Sequence, residues 1–191
     1  MKKIVIVGVG ALGSHIVMLL RNLGAQFKVV DFDKVEYKNT LSQFHGKSGI
    51  GKNKAVALQT SMKFLFGTHM TAVPHRLTVD NCKSLLFEAD LIVDCLDNAE
   101  SRLILQDYVR KTGKACLHGA LAADGGFGRC IWDESFNVDS EDAIGTPTCA
   151  DGEHLPFISL VASYMAIAVN KFLFNGEKMN FHVHPTGVIP V

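Results

Sequence analysis

Lys3-Ile4-Val5-Ile6-Val7-Gly8-Val9-Gly10-Ala11-Leu12-Gly13 is the stretch that decides the fold. Its β-branched apolar run is what a strand buried on both faces requires, as in a parallel sheet. Gly8, Gly10 and Gly13 have the spacing for a tight turn, close backbone approach to phosphate and close helix packing. Leu12 to Leu23 then carries apolar residues at helical spacing until Gly24 stops it. Phe27 to Val30 gives the next strand, ending in Asp31-Phe32-Asp33. Strand, glycine turn, helix and strand make a complete βαβ unit. A helix opening near Ala11 offers free N–H groups and a partial positive charge to an anion, so the turn predicts a bound nucleotide. Lys2-Lys3 before the apolar run mimics a secretory signal, but the glycine turn makes a buried strand the better reading.

Outward from this unit, Lys34 to Ile50 reads as a long polar loop, and such loops in compact domains are usually functional. A helix is expected from about Gly51 to Phe66, and a short strand from Thr71 to His75. Asp80 is expected to cap a helix running to Phe87. Leu91 to Cys95 is a second buried strand, and Ala99 to Lys111 an amphipathic helix ended by Gly113. Ala115 to Gly119 and Phe127 to Trp132 read as strands. An acidic crossover rich in Gly, Pro and Ser is expected at about 133–153. Leu155 to Phe174 is apolar nearly all round, as a core helix or a two-fold homodimer interface would be. Met179 to His184 alternates and is expected to close the sheet at an edge. The fold class is α/β: one Rossmann-like domain over 1–191, mostly parallel, helices on both faces and antiparallel strands toward the C-terminus.

The chain has 191 residues, enough for one domain that buries roughly 70% of its unfolded surface. Lys plus Arg and Asp plus Glu each number 19, so no global field favours nucleic acid or a membrane surface. No 18 apolar residues run uninterrupted, so no membrane span is expected. Cysteines 82, 95, 116, 130 and 149 form no CxxC pair, which points to reduced thiols in a cytoplasmic protein without structural zinc.

Asp31 stands where a strand-end carboxylate can accept hydrogen bonds from both ribose hydroxyls, with Asp33 leaning the same way. In Gly51-Lys52-Asn53-Lys54, Lys54 is favoured over Lys52 to reach back to the β- and γ-phosphates. Asp94-Cys95-Leu96-Asp97-Asn98 ends the later strand, where ligands of open α/β sheets bind. Asp97 suits Mg²⁺, which rests on one or two carboxylates plus substrate phosphates. Asp97 or Asn98 also suits the N-cap of the following helix. Cys149 lies in a loop ahead of the long helix, and a nucleophilic and a structural thiol are both open there. His182 and His184 face the same way on their strand, either as two metal ligands or as surface side chains. Arg102 and Arg110 read as solvated or salt-bridged.

Taken together these residues resemble the ubiquitin-activating-enzyme-like adenylyltransferases of ThiF type, some of which act in thiamine and molybdopterin biosynthesis. The resemblance rests on Gly8 to Gly13, Asp31 to Glu36, Asn39, Gln43, Gly51 to Lys54, and Asp94 to Asn98. It implies ATP and Mg²⁺ as cofactors and a small ubiquitin-like or sulfur-carrier protein as partner. That protein's C-terminal carboxylate would be adenylated. By the match, Gly8, Gly10, Ala11, Leu12 and Gly13 form the phosphate turn and Asp31 holds ribose. Asn39 and Lys54 hold the phosphates, Asp97 holds magnesium, and Cys149 captures the acyl group as a thioester. The family pattern Asn-x-x-Arg-Gln reads here Asn39-Thr-Leu-Ser42-Gln43, so Ser42 replaces a phosphate-facing arginine, with His45, Lys47 and Lys52 as local substitutes. The two CxxC pairs of many members have no counterpart in this sequence, and none is expected for their N-terminal segment. The alternatives are a nucleotide-binding scaffold of the same family, a variant activating a small carboxylate or one attached to RNA, and a nicotinamide-dependent oxidoreductase.

Overall fold

The computed structural model describes residues 1–138 and 151–191. Strand β1 (Lys3–Val7) runs parallel between β2 (Gln26–Val30) and β4 (Leu91–Asp94). Beyond β2 lies β3 (Met70–Val73), and beyond β4 lies β5 (Cys116–Leu121), both parallel to their neighbours. Three antiparallel strands complete the sheet: β6 (Gly128–Trp132), β7 (Phe181–His184) and β8 (Gly187–Pro190). The order β3-β2-β1-β4-β5-β6-β7-β8 means the chain steps outward from β1, then returns to its other side. That reversal opens a crevice between the C-terminal ends of β1 and β4.

Side chains alternate across β1, so Ile4 and Ile6 enter one core while Val5 and Val7 enter the other. The first core packs under α1 (Ala11–Leu20), α3 (Lys54–Phe66) and α6 (Leu155–Asn175). The second packs under α4 (Val79–Leu86) and α5 (Ala99–Thr112). By length and composition α6 could cross a bilayer. Here Phe157, Ile158, Val161, Ala162, Met165 and Val169 are buried within the first core. Two glycines admit this helix: a Cβ on Gly119 would lie 2.3 Å from Met165 Sδ, and one on Gly128 2.5 Å from Val161 Cγ2.

Several boundaries differ from the sequence reading. Helix α1 ends at Leu20, where Leu23 N–H turns back to the Leu20 carbonyl. The polar loop contains a short helix, α2 (Asn39–Ser42), and a 3₁₀ turn, Lys47–Gly49. Thr78, not Asp80, precedes α4, and Asn81 Oδ1 accepts the Thr78 N–H at 2.8 Å. The strand ending at His184 is not an edge, because Pro185-Thr186 turns the chain into β8.

Candidate functional site: a polar cleft at the strand reversal

A cleft of about 790 Å³ lies beyond the C-terminal ends of β1, β2, β4 and β5. This is within the roughly 300–1,000 Å³ of small-molecule sites. Its floor is the glycine turn. Gly8 adopts φ +85°, and a Cβ there would lie 2.7 Å from the Cys95 carbonyl oxygen. A Cβ on Gly13 would fall 1.9 Å from the Gly8 carbonyl oxygen, so Gly13 serves strand–helix packing and does not line the cleft. Gly10, Ala11 and Leu12 do line it. Among the described residues no side chain caps α1, whose N-cap is Gly10, so its first N–H groups face the cleft.

Asp31 ends β2. Its Oδ2 accepts the Val9 N–H at 2.8 Å and its Oδ1 the Asp33 N–H at 2.9 Å. Each oxygen keeps a second lone pair, so ribose hydroxyls can still donate to it. Burial raises its pKa, against the pull of Lys54 and the two N–H groups. Asn53 joins this strand end to α3: its Oδ1 accepts the Val56 N–H, and its Nδ2 donates to the Asp31 carbonyl at 2.8 Å and the Asp33 carbonyl at 3.1 Å. Sequence reading passed over Asn53, although its place one residue before the helix is a cap signal. The joint aims Lys54 inward, where its Nζ donates to Asp33 Oδ2 at 3.0 Å. Burial opposes the Lys54 charge, but Asp31, Asp33 and Asp97 outweigh it and raise its pKa. Lys54 lines the cleft, whereas Lys52 is exposed and outside the lining.

Past β4, Asn98 is the cap of α5, accepting the Ser101 N–H at 2.9 Å. The cap role therefore falls to Asn98, and Asp97 presents its carboxylate at the exposed rim of the cleft. With phosphate oxygens and water completing the shell, Asp97 is a donor that fits Mg²⁺. Among the described residues no three His, Cys, Asp or Glu side chains converge on a metal position.

The loop after β2 departs from expectation. Asn39 is buried outside the cleft lining; its Oδ1 accepts the Glu36 N–H at 2.7 Å, so it shapes the loop instead of facing phosphate. Ser42 is buried, with its carbonyl 3.1 Å from His15 Nε2. His45 cannot stand in for the missing arginine. Burial lowers its pKa to about 4, and its Nε2 donates to the Val9 carbonyl at 2.8 Å. Lys47 is exposed and also outside the lining. Gln43 does line the cleft beside Gly10, and its buried Oε1 has no hydrogen-bond partner among the described residues. A buried orphan acceptor at a cleft wall invites a polar ligand. Cys149 lies outside the described residues. His182 and His184 pack on Phe127, with ring centroids 5.3 and 5.2 Å away.

Beneath the β4–β5 side runs a buried charge network, of which the sequence reading held only the alternative that Arg102 is salt-bridged. Arg102 donates to Asp94 Oδ2 at 3.0 Å, to the Gly119 carbonyl at 2.6 Å and to the Leu96 carbonyl. His118 bridges Asp94 Oδ2 at 2.7 Å and Asp133 Oδ1 at 3.1 Å, and stacks on Phe136 with centroids 4.1 Å apart. Burial opposes charge on His118, but Cys116, Asp133 and Asp94 outweigh it and raise its pKa to about 11. Burial pushes the Cys116 thiol up in turn, against the pull of His118. Asp94 is held low despite burial, by Arg102 and His118. Arg110, predicted as solvated or paired, pairs with Asp133 at 3.3 Å. A histidine inside an apolar strand was the one available signal.

Known proteins resemble this chain over most of its length. The description of the ThiF family matches residues 1–185. The adenylyltransferase and sulfurtransferase UBA4 of Lodderomyces elongisporus is 30% identical over 182 residues, 90% of this chain and 40% of that protein. The sulfur carrier protein ThiS adenylyltransferase of Bacillus subtilis is 33% identical over 121 residues, 61% of this chain and 36% of that protein. This chain thus spans less than half the length of either relative. Among solved structures, E. coli MccB with succinimide superposes with a TM-score of 0.80 at 16% identity, over 100% of this chain and 62% of the other. That likeness supports the mostly parallel Rossmann-like fold.

Proposed function

Because the chain belongs to the ThiF family, we propose that its cleft binds ATP with Mg²⁺ and adenylates the C-terminal carboxylate of a small ubiquitin-like or sulfur-carrier protein. The supporting observation is convergence: the glycine turn, Lys54 and Asp97 line one cleft, and Lys54 is close enough to feel Asp31, Asp33 and Asp97 together. Asp31 takes the ribose. The uncapped start of α1, Gln43 and Lys54 take the phosphates, and Asp97 holds the cation. Bound there, magnesium supplies neutralisation of phosphate charge. The acceptor carboxylate attacks the α-phosphorus, the bond to the β-phosphate oxygen breaks, and pyrophosphate leaves with the acyl-adenylate formed. The protein's work in this step is positioning and electrostatics. Thioester capture at Cys149 is a later step compatible with this reading.

Ser42 favours a second reading, a nucleotide-binding scaffold without adenylation, because the buried serine brings no cation to the phosphates. ATP–pyrophosphate exchange against a panel of β-grasp carrier proteins separates the two. Exchange with one carrier supports adenylation; ATP binding without exchange for any carrier supports the scaffold. We further propose a homodimer through the outer face of α6, where Ile167 and Phe174 are exposed. Sedimentation at micromolar concentration should give a dimer, and a monomer removes that proposal.

A further inference from the structure

Three successive peptides form the glycine turn, and each is held by a different group. The Gly8–Val9 peptide gives its N–H to Asp31 Oδ2 at 2.8 Å. The Gly10–Ala11 peptide accepts at its carbonyl from the Ser14 N–H at 3.2 Å and the Ser14 hydroxyl at 2.6 Å. The Val9–Gly10 peptide between them belongs neither to β1 nor to α1. Its carbonyl accepts from His45 Nε2 at 2.8 Å, a side chain 36 residues further along the chain.

A carbonyl only accepts, so His45 carries a proton on Nε2. Its ring is buried and outside the cleft lining, whereas Gly10 lines the cleft. A planar trans peptide sends its C=O and its N–H to opposite sides. With the Val9 oxygen turned to His45, the Gly10 N–H is turned toward the cleft. Gly10 itself does not fix this choice. Its φ is −80°, and glycine populates positive φ about as readily, so this peptide could turn over at little steric cost. Turned over, it would aim the Val9 oxygen at a bound phosphate and repel it. Neighbouring residues carry His45 to its place: Ser14 Oγ accepts the Phe44 N–H at 2.9 Å, and His15 Nε2 donates to the Ser42 carbonyl at 3.1 Å.

We propose that His45 is a positioning residue: by holding the Val9 carbonyl away from the cleft, it presents the Gly10 N–H to the nucleotide's phosphates. This rests on ATP binding in the cleft and not on the adenylation step. The loop after β2 then serves phosphate binding by orienting a backbone donor, where it supplies no charge.

The test measures the affinity of the full chain for ATP with Mg²⁺ and for adenosine by calorimetry. Adenosine lacks phosphate, so its binding reports whether the rest of the cleft is intact. His45→Phe keeps a ring and removes the donor, whereas His45→Gln restores an N–H at similar reach. His45→Phe should lose about tenfold or more of the preference for ATP over adenosine, the size of a charge-assisted hydrogen bond. Its adenosine affinity should stay within about twofold of wild type, and His45→Gln should retain most of the preference. A second readout needs no variant: by nuclear magnetic resonance, the wild-type Gly10 amide proton should move downfield with ATP and Mg²⁺ but not with adenosine. An unchanged preference in His45→Phe, equal losses in both variants, parallel loss of adenosine and ATP affinity, or a Gly10 amide indifferent to ATP overturns the proposal. Failure of adenylation itself reads differently: a preference dependent on His45, with no pyrophosphate exchange for any carrier protein.

Discussion

On the β1–β2 side of the cleft, Asp31, Asp33 and Lys54 are ordered by backbone N–H groups and by each other, and they face the space a ligand would enter. On the β4–β5 side, Arg102, Asp94, His118 and Asp133 lie under the floor and spend their hydrogen bonds on one another and on strand-end carbonyls. The first group can exchange its partners for a ligand's. The second cannot, since any member withdrawn leaves a buried charge unmatched. Reactive surface and rigid mount are thus separated by one strand spacing, and Asp97 sits at their boundary.

Breaking the mount should have the largest effect. Asp94→Ala strands Arg102 and His118 without their shared counter-charge and should lower unfolding free energy by about 3–5 kcal/mol in denaturant titration. Asp33→Ala, at a half-exposed pair on the other side, should cost less than about 1 kcal/mol. Equal losses would erase the distinction. Asp97→Ala should reduce pyrophosphate exchange by about 10²–10³, or about 3–4 kcal/mol, as for one lost transition-state contact. Its stability should stay within about 0.5 kcal/mol of wild type.

Next in size is the lysine pair. Lys54→Ala should weaken ATP binding by about 1.5–3 kcal/mol, the range of a charge-assisted hydrogen bond. Lys52→Ala should stay within about 0.5 kcal/mol in the same calorimetric titration. The smallest effect is a pH slope. His118 is raised to about 11 from an ordinary 6.5, so its stabilisation is full below pH 6.5 and fades as pH rises toward 11. Wild-type stability should fall with pH from 7 to 9 by up to about 1.4 kcal/mol per unit more than His118→Asn. Parallel slopes in the two proteins would mean the imidazole is not held charged.

The same division decides what the sequence made legible. Gly8, Gly10 and Gly13 lie on one turn, and Asp31 and Asp97 end apolar strands, so local spacing was enough to place them. Lys54 followed from its position on the first turn of a helix. Asn39 did not follow, because a short helix in the loop turns its amide onto Glu36, and no apolar periodicity announces four residues of helix. The buried network depends on Asp94 pairing with His118 across β4 and β5 and on Asp133 folding back after β6. These are long-range facts that no single stretch contains. The apolar α6 was legible as a core helix, but the notches at Gly119 and Gly128 that seat it were not.

The most direct test of the central claim is calorimetric titration of the chain with ATP, with and without Mg²⁺, beside NADH. The account predicts ATP binding that magnesium strengthens, and loss of that gain in Asp97→Ala. Tight NADH binding with no binding of ATP would contradict it.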